Sequence, residues 1–224
     1  MPAAVPARTV LAALLACLPG LGFALCTSEG VPQPGVLLER FVSADCAECW
    51  TDPQTPAAAP GTLAIDWVVP GRRGEDAPLS AVATRDALAR LAALQRPVPA
   101  RLEAVTSRRQ ASEVALRLAQ GAAFNDYIGT SIALPAPGRE PWQAWLLLVE
   151  TLPAGTEGSP VERNLVRNVF RPDWGDGKER RAGRLAESRP MQIHEGARPE
   201  RLRLVAVLQD ARGRIRAIGR TECR

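Results

Sequence analysis

Apolar positions along the chain cluster in short runs cut by Gly, Pro, Asp and Asn, the punctuation of strands more than of long helices. Residues 36–42 (VLLERFV) form a β-rich run, and 62–69 (TLAIDWVV) is a second strand, apolar enough to bury Trp67. Asp76-Ala77-Pro78 reads as a helix start, with Asp76 as cap and proline in the first turn. A helix follows over 79–95, carrying Val82, Leu88, Leu91 and Leu94. Between 96 and 121 two patterns compete. Val114, Leu116 and Leu118 alternate as in a strand, whereas Ala111, Ala115, Leu118 and a terminal Gly121 suit a helix. Beyond Tyr127 the pattern is strand-like at 127–134, 145–150, 165–170 and 201–210. The last of these turns through Ala211-Arg212-Gly213 into 214–220 as a hairpin.

Of the 224 residues 46% are hydrophobic and 23% charged, which excludes a wholly disordered or collagen-like chain. Only 4% are aromatic, so the core rests on Leu, Val, Ile and Ala. Apart from Lys178, every basic residue is arginine, and the net charge of +4 is too small to indicate nucleic acid. No nucleic-acid partner is expected.

Residues 1–24 hold a single charge, Arg8, before an apolar run, and Gly22 and Ala24 supply the small residues of a cleavage site before Leu25. This is the pattern of a secretory signal peptide, too short and broken to span a bilayer of about 30 Å. The expected mature chain begins at Leu25, has no transmembrane span and works in the periplasm or outside the cell. An alternative cut before Cys17 would make a lipoprotein, but Leu15 is bulky for it.

Cleavage leaves Cys26, Cys46, Cys49 and Cys223, an even number in a compartment where disulfides persist. A Cys26–Cys223 bond would tie the two ends of the mature chain, a structural role. Cys46-Ala47-Glu48-Cys49 is then a C-x-x-C that follows a strand and a short loop, the order of a thioredoxin-like redox motif. In the reactive reading Cys46 attacks a partner's disulfide and Cys49 resolves the mixed species, the partner being a protein thiol or disulfide. In the other reading the pair is an inert staple. Zinc lacks ligands, since His194 is the one histidine, and copper(I) lacks Met-rich or His-rich support; no metal or cofactor is expected.

The strand into Cys46-x-x-Cys49 occurs here with Trp145-Leu146-Leu147-Leu148, Arg163-Asn164-Leu165-Val166-Arg167-Asn168-Val169, Val207-Leu208-Gln209-Asp210 and a terminal Cys223. In this set the chain resembles the secreted bacterial domain-of-unknown-function family 1223, over roughly 36–223. The resemblance implies a secreted location and an α/β fold: a thioredoxin-like part with the C-x-x-C over 25–110, and a β-rich part over 111–224 packed on it. It implies no established activity. Only 12 residues separate Cys49 from Thr62, and Pro53, Pro56 and Pro60 are among them, so a helix there is limited to a turn or two around 52–59. The family's histidine-containing segment after the second strand is missing. Pro99, then Pro97, are the candidates for the proline loop that such folds set against the C-x-x-C.

Around the motif, Glu48 disfavours a thiolate beside it, Trp50 is either a substrate rim or packing, and Asp45 is placed to cap the short helix. Arg163 and Arg167 read as partners of carboxylates in the β part. Ser43 and Ser159 lack a histidine signature, so a serine hydrolase is not supported.

Overall fold

Strands are the main element of the described residues because the apolar runs are short, β-branched and interrupted by turn residues. The computed structural model describes residues 26–112, 114–138, 141–174 and 184–223. The expected signal peptide, Cys17 and most of the basic cluster at 178–184 lie outside the described residues. In chain order the elements are β1 (Cys26–Thr27), β2 (Val36–Ser43), β3 (Thr62–Val69), α1 (Arg85–Ala93), β4 (Leu102–Arg108), β5 (Arg117–Phe124) and β6 (Tyr127–Leu134). They continue with β7 (Gln143–Leu152), β8 (Arg163–Phe170), β9 (Leu185–Gln192), β10 (Leu202–Gln209), β11 (Ile215–Arg220) and β12 (Glu222–Cys223).

Two sheets result. The larger has seven strands in the order β11-β10-β7-β8-β3-β2-β4, and the smaller has five in the order β12-β1-β5-β6-β9. Within the larger sheet β2 runs parallel to β3 and antiparallel to β4, so the strand leading to the C-x-x-C is flanked on both sides. Strands from 25–110 and from 111–224 belong to this one sheet, with β3 meeting β8 at Asp66 and Leu165.

The expected α/β, thioredoxin-like arrangement is corrected by these findings. The described structure is 45% strand and 13% helix, with α1 its one α-helix and two sheets in place of a helix-covered one. Alternation explains the layers. Leu37, Phe41, Leu63, Ile65, Trp67, Trp145 and Leu147 point to the face on which Ala87 and Leu91 of α1 pack. On the opposite face Leu146, Leu148, Leu204, Ala206 and Leu208 pack against Leu118, Ile128, Ile132 and Leu134 of the five-stranded sheet. That second sheet occupies the layer a set of helices would fill. The rest of this face, over β2, β3 and β8, is covered by the segment that carries the C-x-x-C.

The helix start predicted at Asp76 is also displaced. α1 begins after Thr84, whose side chain accepts a hydrogen bond from Asp86 N, while 80–82 form a separate 3-10 turn. Thr84 is the better cap because its backbone is extended, and residues 77–79 stay outside any helix. The undecided stretch 96–121 holds β4 and the start of β5, with no helix among its described residues.

The C-terminal hairpin forms as predicted, and its turn is organised by Asp210. Its carboxylate accepts from Arg212 N at 2.9 Å, Arg214 N at 3.1 Å and Arg214 Nε at 2.8 Å. Burial alone would push this carboxyl up, but the hydrogen bonds and the Arg214 charge outweigh it and hold the carboxyl below its ordinary range. A folded-state value depressed in this way gives stability that is present above the unfolded carboxyl's pKa of about 4 and lost as pH falls through the folded value. Acid titration of stability should therefore show a steeper loss in the wild type than in Asp210→Asn. Parallel curves would remove Asp210 from the acid limb.

Candidate functional site

β2 delivers its C-terminus, Ser43, to a tight reversal at Ala44-Asp45 that leads into Cys46. Ala44 N donates to Val69 O at 2.8 Å and Leu79 N to Ala44 O at 3.1 Å, which locks the reversal against the end of β3. Asp45 does not cap a helix. Its carboxylate accepts from Arg72 N at 2.7 Å and Arg73 N at 3.2 Å, and so ties the C-x-x-C segment to the loop after β3. Gly71 is what allows this approach, since a Cβ there would lie 2.3 Å from Asp45 Cγ. Gly71→Ala should expel the carboxylate, release two exposed N–H groups to water and cost about 0.5–1.5 kcal/mol. Urea unfolding measures it, and an unchanged midpoint would contradict the tie.

Cys46 and Cys49 form a disulfide with Cα atoms 5.4 Å apart. The segment between them is a single 3-10 turn, Ala47–Cys49, not the turn or two of helix expected around 52–59. Three prolines and one turn leave no run of aligned peptide dipoles behind Cys46. Ala47 and Glu48 are exposed, but Cys46 is only 4% and Cys49 1% exposed, packed with Val42, Leu79 and Leu102. Glu48 turns outward to Arg101, at 2.7 Å, in a bridge whose two side chains are both more than half exposed. The ligand atoms of Cys46, Glu48 and Cys49 lie within 4.8 Å of one another, but in this state both sulfurs are spent on each other and offer no thiolate.

Pro97 and Pro99, the candidates for that loop, stand in the stretch that follows α1. Pro97 to Ala100 leads into β4 beside β2, and Ser43 N donates to Arg101 O at 2.7 Å; the peptide bonds of the described residues are all trans. A groove of about 550 Å³ lies between this loop, α1 and the 70–72 turn, lined by Ser43, Asp45, Gly71, Leu88, Val98 and Pro99. Trp50 is packing and not a rim: it is buried, with the Arg163 guanidinium carbon 4.3 Å from its ring centre. His194 is exposed on the loop after β9.

Two residues that sequence reasoning missed, Arg40 and Asp66, lie directly beneath the C-x-x-C segment. Arg40 on β2 and Asp66 on β3 are register partners, fully buried and paired at 2.7 Å. Arg163, also fully buried, takes the other oxygen of Asp66 at 2.8 Å. The two guanidiniums do more than share a carboxylate. Arg40 donates to Pro56 O and Glu162 O, and Arg163 to Trp50 O and Ser159 Oγ. A helix would satisfy its own carbonyls, but a proline-interrupted segment cannot, so buried arginines supply the missing donors. Burial pushes the Arg163 pKa down, against the Asp66 carboxylate that holds it up. On the other face Arg90 of α1 grips Glu39 through two hydrogen bonds of 2.8 and 2.7 Å, and Trp67 Nε1 also donates to Glu39. Arg167 pairs with Glu150, its Nε donating at 2.8 Å, a carboxylate of 111–224 as expected, whereas the carboxylate that Arg163 takes, Asp66, comes from 25–110.

No family model matches the chain, and neither the search of curated proteins nor that of solved structures finds a match.

Proposed function

We propose that this protein is a secreted or periplasmic binding or structural module in which Cys46–Cys49 is a staple and not an exchanging pair. The observation that carries the reading is the cover over both sulfurs, combined with a single 3-10 turn where a helix would be needed to stabilise a thiolate. Attack on a disulfide requires access to a sulfur, and here both cysteines are buried in a cluster against which Leu79 and Leu102 pack. The location rests on the signal-like leader and on two disulfides; no helix among the described residues is long and apolar enough to cross a membrane. The resemblance to the secreted family enters only for its location and cysteine positions, since the fold it implied is not the one formed.

One observation favours a second reading, thiol–disulfide exchange through Cys46 and Cys49. Ala47 and Glu48 are exposed between the two cysteines, and the Arg101 guanidinium offsets the Glu48 charge that would otherwise oppose a thiolate. An insulin-reduction assay separates the two. The staple reading expects no turnover by wild type beyond that of Cys46→Ser. A wild-type rate well above the variant's would establish exchange and overturn the staple.

A further inference from the structure

We infer that the disulfide open to external thiols is Cys26–Cys223, and that a thiol captures this protein at Cys223. The inference stands apart from the reading of the C-x-x-C. Cys223 is exposed on β12, an edge strand of two residues, whereas its partner Cys26 is 1% exposed on β1. Both sulfurs of the other bond belong to buried residues, so one half-cystine among the four lies on an exposed residue. Exchange is governed by which sulfur an incoming thiolate can reach.

The surroundings make the opening local. Thr221, the residue before β12, is buried and anchored, with its N–H donating to Leu204 O at 2.9 Å and its hydroxyl to Gln120 Oε1 at 3.0 Å. On the other side Ser28, just after β1, donates to Leu118 O at 3.0 Å and accepts from Leu118 N at 2.8 Å. These two anchors bracket the bond. Cutting it frees the two-residue β1 and β12 while Thr221 and Ser28 hold the sheet. It also uncovers β5 at Ala119 and Gln120, the positions β1 pairs with.

In the chemical step an external monothiol supplies the electrons. Its thiolate donates an electron pair to the Cys223 sulfur, the S–S bond breaks, and the Cys26 sulfur leaves with the bonding pair and takes a proton from water. The product is a mixed disulfide on Cys223 and a free thiol on Cys26. A second equivalent of monothiol would release Cys223 as a thiol and leave the reductant as its own disulfide.

The test uses the oxidised full-length protein and reduced glutathione, with timed alkylation and peptide mapping. Cys26 alkylation and a glutathione adduct on Cys223 should appear at least about tenfold faster than alkylation of Cys46 or Cys49, because access sets the rate. Hydrogen exchange on the same samples should rise at Gln120, whose amide faces β1, while β7 and β10 stay protected. Equal rates at the two bonds, earlier reaction at Cys46 or Cys49, or the adduct on Cys26 would overturn the assignment. Loss of protection across both sheets would overturn the local latch.

Discussion

Replacing Asp66 by alanine should lower stability by about 3–5 kcal/mol, the range for removing one partner of a buried ion pair. The magnitude follows from what is stranded. Arg40 and Arg163 are fully buried and share this one carboxylate, so the variant leaves two guanidiniums facing each other without an anion. Asn164 N also loses its acceptor, 3.0 Å away in the wild type. The loss should propagate to the covering segment, because the same guanidiniums hold the carbonyls of Trp50 and Pro56. Urea unfolding would show the drop as a lower midpoint with an unchanged slope. A loss under about 1 kcal/mol would mean that this cluster is not what replaces the missing helix.

The second large effect is expected from the double variant Cys26→Ser with Cys223→Ser. The bond closes a separation of 197 residues, for which the chain-entropy model gives about 5 kcal/mol. Because Thr221 and Ser28 keep their hydrogen bonds without it, the native sheet should persist and the effect should come from the freer unfolded chain. Thermal unfolding without reductant should show a much lower midpoint at unchanged far-UV circular dichroism. An unchanged midpoint would contradict the tether.

The local elements were legible wherever alternation or a continuous apolar run met a clear turn. β3 and β6 have the bounds the pattern predicts, and β2 and β11 differ by one residue at one end. The layers were not legible, because a run such as TLAIDWVV reads as buried on both faces without saying whether helices or a second sheet will cover it. The strand–loop–C-x-x-C order points to helices, and the three prolines after Cys49, which by pattern only shorten a helix, abolish it. The signal for what took its place lay inside the strands. Glu39 and Arg40 interrupt VLLERFV, and Asp66 interrupts TLAIDWVV. Charges in runs buried on both faces must be paired, and three such residues on adjacent strands announce a buried network. Their partners Arg90 and Arg163 come from 51 and 97 positions further on, a distance no local pattern spans.

At the motif itself, spacing located the disulfide but not its accessibility. Whether a C-x-x-C is reactive depends on what lies over it, and Leu79 and Leu102 reach it from two other parts of the chain. Reduction of the Cys46–Cys49 bond across a series of dithiothreitol potentials, read by alkylation of the peptide that carries it, addresses the staple directly. The account predicts a midpoint below about −300 mV, in the range of structural disulfides. A midpoint near about −200 mV would place the pair among exchanging dithiols and contradict it.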